Sequence, residues 1–331
     1  MILPGTDPQA IVQAARCIRA GELVGFPTET VYGLGADASS DEAVAGIFSA
    51  KGRPSDHPLI VHVADAARVI DYAASVPPFA ERLMQAFWPG PLTVILPRRE
   101  DVAAAAAGGQ ASIGLRCPAH PVALAFLKAC LDLGISGVAG PSANRFGRVS
   151  PTLAQHVAGE FGDDLLVLDG GPCAVGIESS IVDCTRGRPV LLRPGVLTRA
   201  QLEAACGEPV LDPGDLQEAG SAPRASGTLE SHYAPNAKVR LMGAYALQAA
   251  LDLLGSDAAH IAVYSRDVLR IRSAKVLYRR MPDDALTTAQ QLFAVLRDFD
   301  AQGVKLIWIE IPPATGDWEG VRDRLVRAAA G

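Results

Sequence analysis

The sequence lacks the short patterns that assign many proteins to a class at once. Its six cysteines include no C-x-x-C pair and no His/Cys cluster with zinc spacing, so the sequence predicts no metal site built by the protein. Neither the P-loop pattern G-x-x-x-x-G-K-[ST] nor the dinucleotide pattern G-x-G-x-x-G occurs. The alanine run at residues 103–107 is far too short to cross a bilayer. Any nucleotide site must therefore be built in another way.

Aromatic residues and positive charge are also scarce. Aromatic residues make up 5% of the 331 residues and hydrophobic residues 49%, which predicts a mostly aliphatic core in a chain long enough for two domains. The formal net charge of −6 argues against broad binding of nucleic acid, although a local basic groove stays compatible with it. No basic segment followed by an apolar stretch opens the chain. We expect a cytoplasmic protein that acts on small ligands and does not insert into a membrane.

Residues 23–63 organise the first half of the chain. They read as a strand, a polar loop, a helix and a second strand. The spacing of Ser39 and Glu42 predicts a capping box at the start of the helix, and Gly52 marks its end. Thr6 predicts the start of an earlier helix by the same spacing. The polar loop between the first strand and the helix contains more polar residues than packing of a core requires.

Two cations stand at the end of the predicted helix. Lys51 lies in its last turn and Arg53 follows one residue past the glycine. A single lysine here is explained by the helix dipole alone. The pair suits the oxygen atoms of phosphate or carboxylate, since arginine can bind in bidentate fashion. We expect both side chains to face solvent and to act on charge and not on packing.

Two further segments carry polar groups whose role the residues alone leave open. Arg116 ends a predicted strand, where a surface salt bridge is the simpler explanation. Residues 140–145 form a loop rich in small residues that could approach a ligand. That loop is explained equally well as an ordinary capped turn.

Several motifs together resemble the YrdC-like family of L-threonylcarbamoyl-AMP synthases. The motifs are FPTETVYGLGADA at 26–38, KGRPSDHPLIVHV at 51–63, WPGPLTVIL at 88–96, SIGLRCPAHP at 112–121, GPSANRFGRVSPT at 140–152, IESSIVDC at 177–184 and LLRPG at 191–195. The resemblance covers roughly the first 200 residues. In addition, SHYAPN at 231–236 is similar to the linker of the longer, two-domain members.

The resemblance implies an α/β fold with an open, twisted, mixed sheet and helices. Intermingled strand and helix patterns agree with this, but they do not give the strand order. We predict a catalytic domain at residues 1–206 and a linker at 207–235 that acts as a lid over the active site. Alternating strands and helices predict a smaller, Rossmann-like α/β domain at 236–331.

The resemblance also implies a reaction. ATP, L-threonine and bicarbonate would give L-threonylcarbamoyl-AMP and pyrophosphate, with Mg2+ accompanying ATP. Downstream machinery would then use the product to make N6-threonylcarbamoyladenosine in tRNA, and tRNA itself is a further candidate partner. Such a site needs no covalent nucleophile, because its main task is to align two anions and stabilise charge on the phosphates.

The family's site residues can be carried over position by position. The catalytic pair would be Lys51 and Arg53. The threonine side would comprise Thr30, His62, Arg116, Gly140 and Ser179. The ATP side would comprise Arg53, His57, Ser112, Ser142, Asn144, Ser150, Arg193 and Tyr233. The chain departs from the family at His57, where asparagine is common, and at Ser180, where threonine is common.

Two other functions stay open at this point. A basic groove with Lys51, Arg53, Arg116, Arg145 and Arg148 could bind double-stranded RNA or tRNA without chemistry, although the acidic total charge argues against it. Carbamoyl transfer to another acceptor is the second alternative, because YrdC-like domains also occur in carbamoyltransferases. Those proteins usually carry zinc fingers, whose cysteine spacing is absent here.

Overall fold

The computed structural model describes residues 1–215, 222–267 and 270–331, which divide into two compact units. The first unit comprises residues 1–146 and 150–228, and the second comprises 147–149 and 229–331. The boundary after residue 228 falls inside the predicted linker, residues 207–235. The part of that linker at 216–221 lies outside the described residues.

The first unit is a mixed α/β structure, as predicted. Its described strands pair in the order β1-β8-β2-β3-β7-β4-β6-β5-β9-β10, with parallel and antiparallel neighbours in one sheet. In chain order the elements are β1 (Ile2–Pro4), α1 (Pro8–Arg19), β2 (Val24–Phe26), β3 (Gly33–Asp37), α2 (Asp41–Lys51), β4 (Ile60–His62), α3 (Pro78–Phe87), β5 (Leu92–Pro97), β6 (Ser112–Arg116), α4 (Pro121–Asp132), β7 (Val138–Ala139), α5 (Ala154–Phe161), β8 (Leu166–Asp169), β9 (Ser180–Asp183), β10 (Val190–Arg193) and α6 (Arg199–Cys206).

The helix starts differ by one residue from the predicted capping positions. In α1 the cap is Asp7 and not Thr6, because the Asp7 carboxylate accepts a bond of 2.9 Å from the backbone N–H two residues on. In α2 it is Ser40 and not Ser39, and its hydroxyl accepts a bond of 3.2 Å from the N–H three residues on. The predicted end of α2 is correct, since Gly52 takes a left-handed φ of 64° that favours glycine.

Strand register positions the polar residues of the first unit. β4 and β6 run parallel with His62 opposite Arg116, and β7 runs antiparallel to β4 with Val138 opposite His62. Residues directly opposite each other point to the same face of a sheet. The polar loop after β2 ends at β3, which pairs with both β2 and β7. Segments that are distant in the sequence therefore meet on one face.

The second unit contains a parallel sheet with helices between its strands, which agrees with the predicted smaller α/β domain. Its strands lie in the order β11-β14-β12-β13, and every pairing among them is parallel. The elements are β11 (Lys238–Met242), α7 (Ala244–Leu254), β12 (Ile261–Ser265), β13 (Leu277–Arg280), α8 (Ala285–Ala301), β14 (Leu306–Glu310) and α9 (Glu319–Ala329). No helix in the described ranges is long and apolar enough to span a bilayer.

We expect the aliphatic core of the first unit to dominate its stability. Leu83 on α3 is fully buried, whereas Leu133, just after α4, is 36% exposed. Leu83→Ala should lower the free energy of unfolding by about 2–5 kcal/mol, because it removes contacts and leaves a cavity. Leu133→Ala should change it by less than about 0.5 kcal/mol. Denaturant unfolding followed by circular dichroism measures both, and similar losses in the two variants would contradict this assignment.

Candidate active site

A buried ion pair lies between the β2–β3 loop and the end of β6. Arg116 donates from Nη1 to Thr30 Oγ1 at 2.7 Å and from Nη2 to Glu29 Oε1 at 2.6 Å. All three residues are buried, so Arg116 does not form the surface salt bridge that its position alone suggested. Thr28 helps to fix the loop, since its hydroxyl lies 2.9 Å from Thr30 Oγ1. The guanidinium is therefore oriented before any ligand arrives.

A neutral histidine lies beside this ion pair. His62 is 3% exposed, and burial, reinforced by the nearby Arg116 charge, lowers the pKa of its imidazole to about 3. Its Nδ1 has no hydrogen-bond partner among the residues that the structure describes. A Cβ at Gly140 would lie 3.0 Å from that nitrogen and 2.9 Å from Phe26 Cζ. Glycine at position 140 therefore keeps the space beside the imidazole open.

Ser179 contacts a further buried cation, Arg193. Its hydroxyl lies 2.8 Å from Thr93 Oγ1, and Arg193 donates to the Ser179 carbonyl from Nε at 3.0 Å and from Nη2 at 2.9 Å. The remaining terminal nitrogen of Arg193 donates to the Ser226 carbonyl at 2.8 Å. Part of the predicted linker thus lies against the cations of the first unit.

Lys51 and Arg53 are buried, so the expectation that they face solvent is wrong. They are 3% and 7% exposed, respectively. The Lys51 ammonium donates to the carbonyl oxygens of Ser142, at 2.5 Å, and Asn144. Burial, with a further contribution from Arg53, holds the pKa of Lys51 well below its ordinary value. The end of α2 thus supports the loop after β7, which the α2 pattern alone could not indicate.

Arg53 is held by backbone oxygens and an aromatic ring. Its Nη2 donates to the Pro58 carbonyl at 3.0 Å and to Ser226 Oγ at 3.5 Å, and its guanidinium carbon lies 5.5 Å from the centre of the Phe146 ring. The His57 ring packs edge-on against the same phenylalanine at 5.5 Å. Burial lowers the pKa of His57, and the nearby Arg53 charge lowers it further.

The other predicted nucleotide residues lie in several places. Ser142 is half-buried and Asn144 buried on the loop that Lys51 supports. Ser150 is buried and donates to the Glu178 carboxylate. Ser112 is half-buried on β6 and lines a small cavity together with Ser226.

Tyr233 belongs to the second unit. It is buried there, has a left-handed φ of 62° and stacks on Phe293 with 5.5 Å between ring centres. The Arg324 guanidinium lies 5.3 Å from the centre of the Tyr233 ring. Its contact with a nucleotide stays a prediction.

Several polar residues of the site were not predicted. Glu29 and Glu178 stand inside the quoted motifs at 26–38 and 177–184, and each has hydroxyl-bearing neighbours, Thr28 and Thr30 around Glu29 and Ser179 after Glu178. That signal could have identified both. Nothing in the sequence singles out Thr93, an ordinary strand residue, or Ser226, a small residue in a polar linker.

Few carboxylates and hydroxyl groups in the described part of the first unit could hold Mg2+. No group of three or more His, Cys, Asp or Glu residues is placed to hold a metal ion within the described ranges. Mg2+ is commonly held by one or two carboxylates together with substrate phosphates and water. Glu178 and the Ser150 hydroxyl supply a set of that kind, so the residues fit an ion that arrives with the nucleotide.

The fold and the site define an α/β protein whose buried cations and hydroxyl groups suit a carboxylate and a phosphate together. The model of the Sua5/YciO/YrdC family, described as "Telomere recombination", matches residues 16–195. The model described as "Threonylcarbamoyl-AMP synthase, C-terminal domain" matches residues 197–330. The two matches together cover nearly the whole chain.

Individual relatives agree with these matches. A threonylcarbamoyl-AMP synthase of Bacillus subtilis (strain 168) is 39% identical, with 99% of this chain and 95% of that protein covered. One from Schizosaccharomyces pombe is 33% identical, with 99% and 90% covered. The crystal structure of Pyrococcus abyssi Sua5 complexed with L-threonine matches with a TM-score of 0.89 and 36% identity, and 99% of this chain and 97% of that chain are covered. This chain belongs to the Sua5/YrdC family of threonylcarbamoyl-AMP synthases, in its two-domain form.

The neutral His62 predicts a pH-dependent stability. Its pKa falls from 6.5 to about 3 on folding, so below pH 6.5 the unfolded chain binds a proton that the folded chain excludes. Stability is therefore complete above the unfolded pKa and falls with pH by at most about 1.4 kcal/mol per pH unit toward the folded pKa. His62→Gln should unfold with a weaker pH dependence than the wild type between roughly pH 7 and pH 4. Equal slopes in denaturant titrations would contradict the burial of a neutral imidazole.

Proposed function

We propose that the first unit forms L-threonylcarbamoyl-AMP from ATP, L-threonine and bicarbonate, with release of pyrophosphate. The observation that carries this proposal is the buried Arg116, oriented by Glu29 and Thr30 in the same unit as the buried cations Lys51, Arg53 and Arg193. The names of the relatives support it. The product would supply the cytoplasmic machinery that places N6-threonylcarbamoyladenosine in tRNA.

In this proposal the threonine side is centred on Arg116. The guanidinium binds the threonine carboxylate, since planar paired donors match carboxylate geometry. Thr30 and Ser179 offer hydroxyl groups for the polar atoms of the amino acid. The neutral His62 offers an imidazole nitrogen, and Gly140 leaves room for the ligand beside it.

The ATP side uses the remaining cations and hydroxyls. Arg53 and Arg193 bind phosphate oxygens, and Lys51 acts with them at the loop that carries Ser142 and Asn144. His57, Ser112, Ser150 and Tyr233 complete the predicted contacts with the nucleotide. Mg2+, held by Glu178 and Ser150 with the phosphates, would supply additional positive charge against the triphosphate.

The chemistry needs alignment more than a protein nucleophile. The threonine ammonium loses a proton, and the free amine adds to the carbon of CO2, or to that of bicarbonate with loss of water, and gives a carbamate. A carbamate oxygen then attacks the α-phosphorus of ATP in line, and the bond to pyrophosphate breaks. Fixed cations stabilise the charge that develops on the phosphate oxygens without reorganising. Burial of these cations excludes water, which would otherwise hydrolyse the mixed anhydride.

The RNA-binding alternative is less well supported than it was from the sequence. Lys51, Arg53 and Arg116 are buried and bonded to carbonyl, hydroxyl or carboxylate oxygens of the first unit. Phosphate contacts with an RNA backbone require cations that the RNA can reach. These three residues are therefore better suited to small ligands inside the unit.

The catalytic assignment predicts large losses of turnover from single changes. Lys51→Ala and Arg53→Ala should each lower kcat/KM by roughly 100-fold or more, because each removes fixed charge near the phosphates. Arg53→Lys should also be poor, since lysine lacks the planar fork. Pyrophosphate release would be followed with ATP, Mg2+, bicarbonate and L-threonine, and with each omitted in turn. The exposed Arg19→Ala on α1 serves as the control.

Two results would reject this assignment. The first is pyrophosphate release that does not depend on threonine and bicarbonate. The second is near-normal turnover in all three variants, which would place the phosphates elsewhere.

The predicted lid has contacts in the first unit that can be tested. Arg224 forms an ion pair with Asp56, and its backbone N–H donates to Gln110 Oε1 at 2.8 Å. Ser226 contacts Arg53 and Arg193. ATP should take the donors that Ser226 occupies and be covered by residues 222–230 in turn, so proteolysis there should slow at least several-fold when ATP and threonine are both present. Unchanged cleavage rates with both ligands would leave the linker as a tether only.

A further inference from the structure

Glu29 and Arg116 form a neutral pair of opposite charges inside the first unit. The guanidinium nitrogen and the carboxylate oxygen are 2.6 Å apart, and the two side chains are 4% and 10% exposed. Burying two charges costs several kcal/mol for each ion unless attraction and further hydrogen bonds compensate. A pair that only stabilised the fold would be expected to have every donor and acceptor satisfied.

The pair keeps unused donors and acceptors. Arg116 has five N–H groups, and its hydrogen bonds to described residues use one from each nitrogen, including Nε to the Gly90 carbonyl at 3.3 Å. One N–H on each terminal nitrogen therefore has no partner among the described residues. The Glu29 carboxylate accepts from Arg116 at Oε1 and from the Ala119 backbone N–H at Oε2, at 3.1 Å. A carboxylate offers about four acceptor positions, so it can take further donors.

This arrangement matches a free amino acid, which carries one charge of each sign. One carbon atom separates the α-carboxylate from the α-ammonium of a zwitterion. The two charges of the protein pair are similarly close, because a single hydrogen bond joins them. Docking opposite charges against each other leaves the buried site neutral overall, which avoids burial of a net charge. A ligand that carried only a carboxylate would leave an uncompensated negative charge beside Glu29.

We infer that Glu29 binds the α-ammonium of the amino-acid substrate and selects α-amino acids against α-hydroxy acids. The inference rests on the proposed function, which supplies threonine as the substrate. Other buried carboxylates of the unit have different partners: Glu178 accepts from Ser150, and Asp183 accepts from Thr185 and Arg186. Of these buried carboxylates, Glu29 is the one bonded to Arg116, the arginine that is proposed to bind the substrate carboxylate.

Ammonium binding also has a consequence for the reaction. The nitrogen that Glu29 holds becomes carbamoylated after it gives a proton to bicarbonate or solvent, so Glu29 would position the nucleophilic nitrogen while Arg116 positions the opposite end of the same molecule. Two fixed points and the hydroxyl contact at Thr30 define the orientation of the substrate. An analogue with a hydroxyl in place of the amine would lose one of these points.

The experiment compares two ligands that differ only in the amine. Titration calorimetry would measure L-threonine and (2S,3R)-2,3-dihydroxybutanoate binding to the full chain as wild type, Glu29→Gln and Glu29→Asp. We expect the wild type to prefer threonine by about 10-fold or more, the scale of one hydrogen bond to a charged group. Glu29→Gln should lose most of this preference while its affinity for the hydroxy acid stays the same or rises. Glu29→Asp, which keeps the charge, should retain part of the preference.

An exposed glutamate provides a matched control. Glu81→Gln removes an exposed carboxylate on α3 and should leave both affinities unchanged. Equal weakening of both ligands in a folded Glu29→Gln protein would mean that Glu29 only positions Arg116, and would overturn the inference alone. Absence of threonine binding to the wild type would instead overturn the proposed function and the inference with it.

Discussion

The exclusion of water from charged side chains is the constraint on which the first unit depends. Lys51, Arg53, Arg116 and Arg193 are each 7% exposed or less. An unpaired charge at such depth is strongly unfavourable. Each cation is therefore bonded to carbonyl, hydroxyl or carboxylate oxygens of neighbouring loops, and those loops are in turn held by the cations. Removing one cation should disturb a loop as well as a ligand contact.

Backbone carbonyls carry much of this arrangement. Lys51 bonds to the carbonyls of Ser142 and Asn144, and Arg193 bonds to those of Ser179 and Ser226. A carbonyl accepts a hydrogen bond from a cation without cancelling its charge. Arg116 differs, because its partner Glu29 is charged. The bond between Arg116 and Glu29 therefore pairs opposite charges, whereas the bonds from Lys51 and Arg193 to these carbonyls do not.

Sequence patterns predicted much of this fold but only part of the site. The spacing of apolar residues and the helix-ending glycine predicted α2 and its end at Gly52. The mixed α/β class is confirmed. The start of α2 was misplaced by one residue because Ser39 and Ser40 are both competent caps, and only the backbone geometry decides between them. β1 was not predicted, since it is three residues long and two of them are exposed. Its pairing partner β8 lies more than 160 residues away.

Burial of the functional cations could not be predicted from local pattern. Lys51 and Arg53 sit at a helix end, where charged side chains are usually solvated, and the loop that covers Lys51 comes from residues 142–144. The pairing of Arg116 with Glu29 depends on a contact 87 residues apart in the sequence. The resemblance to a family nominated several of these positions, but it did not indicate what they bond to. Glu29 was quoted within a motif, and the role proposed for it rests on its bond to Arg116.

Ser226 introduces competition within the chain itself. Its carbonyl and hydroxyl oxygens occupy donors on Arg193 and Arg53, which are the donors proposed for the phosphates. A segment tethered to the site is present at a high effective concentration, so it competes with free ligand even when its own bonds are weak. The apparent dissociation constant for ATP would then include the free energy needed to displace Ser226 from these donors. Shortening or loosening the tether would change that constant without altering any residue that touches the nucleotide.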